Sequence, residues 1–201
     1  MEQIHIIPEF AYDFHGHRCP YMPLGFMAGE YAMRLLGIER ERDHKTFLFS
    51  EMGDDHLQGC FNDGLQAATG CTYGKQIFKL MNYGKAAAIL YKPEKGAVRV
   101  IVNDDILKDL EKFKFFEYRY KGYEPSEIPL DVSNEVIGYL TSIPDERLFR
   151  YEFLKDFTYT PLKKTSKKME CDDCHELVFE NYIKIWKNKK LCTTCYEKER
   201  R

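Results

Sequence analysis

Phe14-His15-Gly16-His17-Arg18-Cys19-Pro20 sets two imidazoles and a thiol within five residues around a glycine, and a proline follows where a strongly periodic segment begins. From Pro23 onward, Leu24, Met27, Ala28, Tyr31, Ala32, Leu35 and Leu36 recur at the i, i+3, i+4, i+7 spacing of one helical face, and Gly37 supplies a stop. The stretch therefore predicts a helix whose N-terminus points at Cys19. It also marks a place to hold a metal or to activate a sulfur.

Outward from it, Ile4–Phe14 has a helical recurrence that Pro8 interrupts near its start. Thr46–Ser50 is a short apolar run, read as a buried strand, and Leu57–Thr69 reads as a helix carrying Cys60, Phe61, Leu65 and Ala68 on one side. Gly59 and Gly64 weaken that helix by about 1 kcal/mol each relative to alanine. After the loop Gly70–Lys75, strands are expected near residues 76–81, 85–92 and 97–102, close enough in sequence to pair as an antiparallel meander. Asp104 and Asp105 cap an expected helix to Phe116; Asp131–Ser142 and Pro144–Phe149 read as short helices, and 150–160 as extended.

The chain has 201 residues, 44% hydrophobic and 31% charged, which suits one domain of ordinary size with a small satellite and excludes disordered and fibrous classes. No apolar run reaches the ~20 residues of a membrane span, and no basic leader opens the sequence, so the expectation is a cytoplasmic protein with no membrane partner. Seven cysteines in such a chain imply metal or redox chemistry rather than a disulfide framework. From Pro161 to the end, eleven Lys or Arg stand against seven Asp or Glu, a balance of +4 that leaves −6 for the preceding 160 residues of a chain whose total is −2. Polar, basic residues 161–168 mark a boundary, giving a core domain 1–160 and a linker with a finger at 161–201.

Cys171-x2-Cys174 and Cys192-x2-Cys195, separated by seventeen residues, have the spacing of a four-thiolate zinc site. Forty residues cannot bury a sufficient core without such an ion. A strand at 181–186, a turn at 187–190 and a helix from Thr193 fit a treble-clef or ribbon finger. Asp172, Asp173 and His175 sit beside the first pair as alternative donors. The basic residues with Tyr182, Trp186 and Tyr196 have some nucleic-acid character. A basic face that docks a protein partner is the preferred reading, and the acidic body counts against nucleic acid.

The ordered set His15-Gly16-His17-Arg18-Cys19-Pro20 with Gly25, then Cys60 with Asp63, then Thr69-Gly70-Cys71-Thr72-Tyr73-Gly74-Lys75, then Tyr83-Gly84-Lys85, resembles the FmdE family, named for a component of formylmethanofuran dehydrogenase. The tail is similar to the finger that many members append. The resemblance implies an α+β core with a mixed β-sheet flanked by helices, homodimers, and a metal site built from the His/Cys motifs. Tyr21, Gly64 and Asn82 depart from the family pattern of glycine, alanine and aspartate at those places.

In the residues themselves, His17 and Cys19 are two apart, so an extended stretch presents both on one side. Gly16 permits the turn around an ion. Cys60 is the natural third ligand, with water completing an open tetrahedron for zinc or another transition metal. His15 is then a supporting or acid–base group, Cys71 a fourth ligand or nearby thiol, Asp63 a ligand-orienting or surface residue, and Lys75 a cation for negative charge on a substrate. A metal-free alternative makes Cys19 and Cys60 a redox pair. Functionally, these residues point to a metal-binding component of formylmethanofuran dehydrogenase-type redox metabolism, with a non-catalytic adaptor or metal-handling protein as the alternative.

Overall fold

Pro20 and Gly37 bracket the longest helix as the sequence predicts, but it starts two residues earlier than the apolar periodicity, directly after Pro20. The computed structural model describes residues 4–54, 56–161 and 165–200, with the backbone alone at 56–58. The chain separates into two compact units, Met1–Thr158 and Tyr159–Arg201.

The first unit contains helices α1 (Glu9–His15), α2 (Tyr21–Leu36), α3 (His56–Thr69), α4 (Asp104–Leu110), α5 (Lys114–Tyr120), α6 (Leu130–Thr141) and α7 (Asp145–Leu148), with strands β1 (Phe47–Ser50), β2 (Phe78–Leu80), β3 (Ala87–Lys92), β4 (Gly96–Val102) and β5 (Phe149–Phe153). The strands form one sheet in the order β2-β1-β3-β4-β5, with β1 parallel to β2 and the remaining pairs antiparallel. This is the mixed sheet of an α+β fold.

The expected meander is half right. β3 and β4 form a hairpin, but β1 lies between β2 and β3. All four residues of β1 are buried, so both of its edges need partners. The crossover through α3 brings β2 back parallel on one side, as a parallel pairing requires. The segment around Asn82 and Gly84 is no hairpin turn; the Tyr83 and Lys85 N–H groups both donate to the Glu51 carbonyl, at 3.0 and 3.1 Å, which carries the chain across the end of β1.

Two other elements also depart from expectation. α1 begins only at Glu9, because Pro8 lacks an N–H and sits extended at φ −67°, ψ 145°; Ile4 and His5 instead donate to the Thr141 carbonyl at the end of α6. The helix expected from Asp104 to Phe116 breaks at Phe113, which is extended. The break lets Phe113 stack on Tyr139 at 4.9 Å while Phe115 and Phe116 turn inward.

One sheet face receives α2 and α3. The Ser50 hydroxyl donates to Asn62 of α3, and Leu48, Leu90, Val98 and Val100, in register with Ser50 or its neighbours, are buried on that side. On the opposite face, Phe49 and Tyr91 pack on Phe157 at 5.2 and 5.5 Å. There Arg99 donates twice to the buried Glu51 carboxylate, at 2.6 and 2.7 Å.

α2 and α3 meet through glycines. A Cβ on Gly25 would lie 2.0 Å from the Phe61 carbonyl oxygen, and one on Gly64 would lie 2.0 Å from that of Met22. Backbone thus touches backbone, and the propensity lost at Gly64 is offset by the close approach it permits.

The second unit contains β6 (Lys168–Glu170), β7 (Leu177–Phe179), β8 (Ile183–Trp186), β9 (Lys189–Cys192) and α8 (Thr193–Glu199). Lys187 and Asn188, both at positive φ, form the two-residue turn between β8 and β9. Its small core is Cys171, Leu191, Cys192 and Cys195 with Val178, Trp186 and Tyr196 packed around them. Of the basic boundary segment, Leu162, Lys163 and Lys164 lie outside the described residues.

Gly64→Ala is expected to destabilise the first unit by about 3 kcal/mol or more, because rigid backbone must give way. A thermal melt of the variant should fall by roughly 6–12 °C; an unchanged melt would contradict the contact.

Candidate metal centres

His15 is the last residue of α1, and Gly16 follows in the left-handed conformation at φ 92°, its N–H closing on the Tyr12 carbonyl at 2.7 Å. Only glycine adopts that conformation without strain. The chain reverses there, and Arg18 straps the reversal to α1 by donating to both Glu9 oxygens at 2.8 and 2.9 Å while lying 4.1 Å over the Tyr12 ring. Pro20 then starts α2, leaving Cys19 buried at its N-terminus. The α2–α3 contact brings Cys60 to the same end.

His15, His17, Cys19 and Cys60 each offer a donor atom, all within 4.8 Å of one another. His15 Nε2 lies 3.1 Å from His17 Nε2 and 3.5 Å from Cys19 Sγ, and Cys60 Sγ lies 3.9 Å from His17 Nε2. Zinc bonds of ~2.0–2.1 Å to nitrogen and ~2.3 Å to sulfur give tetrahedral edges of roughly 3.3–3.8 Å. The donor set therefore fits a tetrahedral ion. His15 stands among the donors, where the sequence leads one to expect a water, rather than behind them. The reason is Gly16: its left-handed turn swings the His15 ring onto the side that His17 and Cys19 share.

Behind His15, Nδ1 meets Asp63 Oδ2 at 2.9 Å. Cys60 and Asp63 are three residues apart on α3, so one helical face supplies both a donor and the carboxylate that orients another donor. Electrostatics follow from this packing. Burial pushes the His15 pKa down, but the Asp63 and Cys60 hydrogen bonds more than offset it, and it rises to about 9. Donation from Cys19, aided by both imidazoles, lowers Cys60 to about 3. Burial and that same interaction push Cys19 well above the usual thiol range.

Cys71 and Lys75 are not brought to this cluster. Cys60 is nine residues before the end of α3, so Cys71 lies about 14 Å of helix rise away, past the other end. Its thiol is fully buried, donates to the Thr46 carbonyl at 3.6 Å, and is raised to about 12 by burial. The Lys75 ammonium donates to the Glu41 and Arg42 carbonyls at 3.0 and 3.5 Å. The expected substrate role of Lys75 gives way to fastening a loop.

In the second unit, the Cys171, Cys174, Cys192 and Cys195 sulfurs also lie within 4.8 Å of one another. Cys174 and Cys192 Sγ are 3.9 Å apart, near the roughly 3.8 Å sulfur–sulfur edge of a zinc tetrahedron. The Cys192 and Cys195 N–H groups donate to Cys171 and Cys192 Sγ at 3.3 and 3.4 Å. N–H groups of Cys174 and Cys192 hold the Cys171 thiol down at about 6. The alternative donors have other partners: Asp172 accepts from the Lys190 N–H at 2.6 Å, Asp173 faces Lys189, and His175 pairs with Glu170 at 2.9 Å.

A family model described as FmdE, molybdenum formylmethanofuran dehydrogenase operon, matches residues 14–150, the span that contains the whole His/Cys cluster. The chain belongs to the FmdE family. An Archaeoglobus fulgidus protein described as a probable S-adenosyl-L-methionine-binding protein is 30% identical over 200 residues, covering 92% of this chain and 51% of that protein. This FmdE chain thus spans about half the length of that relative. A crystal structure of an FmdE-like protein of tungsten formylmethanofuran dehydrogenase from Syntrophus aciditrophicus matches over all of both chains, with a TM-score of 0.64 at 18% identity, a likeness of fold.

Asp63→Ala is expected to weaken zinc binding at the first cluster by about 10–100-fold, as loss of a ligand-orienting carboxylate does; chelator competition measures it, and unchanged affinity would contradict the role. In the metal-free protein, the raised His15 pKa contributes stability that is fully present below pH ~6.5 and lost as pH rises through about 9. Metal uptake has the opposite sign, since His15 must release its proton. Apparent affinity should climb from pH 6 toward 9, a trend that Asp63→Ala should flatten.

Proposed function

We propose that this FmdE protein carries a transition metal, zinc in the simplest case, on His15, His17, Cys19 and Cys60, and a structural zinc on the four cysteines of its tail. It serves as a metal-bearing component of formylmethanofuran dehydrogenase-type redox metabolism. The observation that carries the reading is the convergence of four donor atoms within 4.8 Å, with Asp63 behind one of them. The family's description and the S. aciditrophicus protein's name support the pathway.

A bound ion would supply Lewis acidity and fixed positive charge to a site otherwise rich in thiol. The residues do the rest. Asp63 holds the His15 tautomer, Arg18 with Glu9 fixes the turn that aims His17, and burial of Cys19 keeps water from its sulfur. The A. fulgidus relative is named for S-adenosyl-L-methionine, but about half of that protein lies outside the matched region, so the ligand is not assigned to this fold. Two chains pair as a homodimer in this reading. Among the described residues, no helix is long and apolar enough to cross a membrane.

A second reading, a metal-handling adaptor, draws on the finger. Leu177, Phe179, Tyr182 and Ile185 are all exposed large hydrophobic side chains in a unit of about forty residues. Such a density suits docking to another protein.

Elemental analysis tests the main reading. The purified chain is expected to hold two metal ions, with Cys60→Ser and Cys171→Ser each removing one. A single ion, lost in Cys171→Ser and retained in Cys60→Ser, would leave the first cluster without a metal and end the proposal.

A further inference from the structure

Two clefts flank the Gly16–Arg18 turn and share His17 as a wall. They differ in charge. One also carries the carboxylates of Glu9 and Asp13. The other, about 290 Å³, lies between the turn and residues 125–133, and no acidic side chain lines it. Its volume is at the lower end of small-molecule pockets, roughly 300–1,000 Å³.

Three features of the second cleft suit a small anion with an apolar end. α6 starts at Leu130 behind Pro129, which provides no side-chain cap, so its first-turn N–H groups keep their partial positive charge. Ser133, 1% exposed, lines the cleft, and its hydroxyl has no hydrogen-bond partner among the described residues. An unsatisfied buried hydroxyl costs about 1–3 kcal/mol, a cost that a ligand oxygen removes. Ile128 and Leu130 supply apolar wall. The charge of Arg18 is already matched by Glu9, and Asp131, the acidic residue of the first α6 turn, is exposed and outside the wall.

We propose that this cleft is the ligand subsite of the first metal centre and takes a short-chain monocarboxylate. Its oxygens meet the α6 first-turn N–H groups and the Ser133 hydroxyl, and its alkyl chain lies along Ile128 and Leu130. His17 is the wall shared between ligand and donor set. The assignment to a metal centre rests on the proposed function; the cleft and its chemistry do not.

Butyrate is the probe, titrated into the zinc-loaded full-length protein and followed by amide chemical shifts. Saturable shifts are expected at His17 and at Leu130 to Ser133. Ser126→Trp, an exposed position at the wall, should weaken binding at least tenfold, and Ser133→Ala about fivefold, the equivalent of one hydrogen bond of ~1 kcal/mol. Asp13→Trp, in the other cleft, should leave it unchanged. Absence of saturable shifts, shifts centred on Glu9 and Asp13, or an unaffected Ser126→Trp would overturn the subsite. Zinc is measured on the same samples. Butyrate binding by protein that takes up no zinc at the first cluster would overturn its assignment to a metal centre, whereas zinc uptake without butyrate binding refutes the subsite alone.

Discussion

The contact between α2 and α3 is made by backbone. Gly25 and Gly64 each face a carbonyl oxygen that a methyl group would strike at 2.0 Å, so the two helices approach as closely as main chain permits. Each glycine costs helix propensity of about 1 kcal/mol, and the close packing that results more than offsets it. The sheet face that buries Leu48, Leu90 and Val98 rests on this helix pair, and so does the position of every proposed core donor.

Cys19 precedes α2 and Cys60 lies in the second turn of α3. Because the helices are locked at Gly25 and Gly64, both sulfurs arrive at one end of the pair. α1 adds His15, the Gly16 turn adds His17, and α3 adds Asp63 one turn after Cys60. The metal-free state this predicts is already polarised, with a low-pKa Cys60 beside a raised Cys19 and a raised His15. A dication replaces the protons that this arrangement holds.

Much of this is legible in the sequence, and the departures have physical causes. The periodicity from Leu24 to Leu36 gives α2, and the 85–92 and 97–102 strands give the β3–β4 hairpin. The place of β2 is not legible, because adjacency in sequence favours a hairpin while the two free edges of buried β1 demand a partner on each side. His17, Cys19 and Cys60 come together as their spacing suggests. Alternation along an extended strand sets His15 outward, whereas a left-handed glycine changes which side chains share a face. Cys71 and Lys75 belong to a motif next to α3 in sequence, yet about 1.5 Å of rise per residue carries them to its far end. Nothing local in 125–133 signals its cleft, since only tertiary packing places Ser133 opposite His17.

The Gly16 turn also bears on the order of assembly. His15, His17 and Cys19 lie within five residues, so bringing them around an ion closes only very short loops. Cys60 is about forty residues further on, and its arrival closes a long one, at an entropic cost that grows slowly with length. An ion captured early by the short segment would hold the end of α1 and the start of α2 together while α3 is still searching. The metal would then act as a folding nucleus as well as a cargo, and its affinity for the unfolded chain would take away part of the stability it confers on the native one.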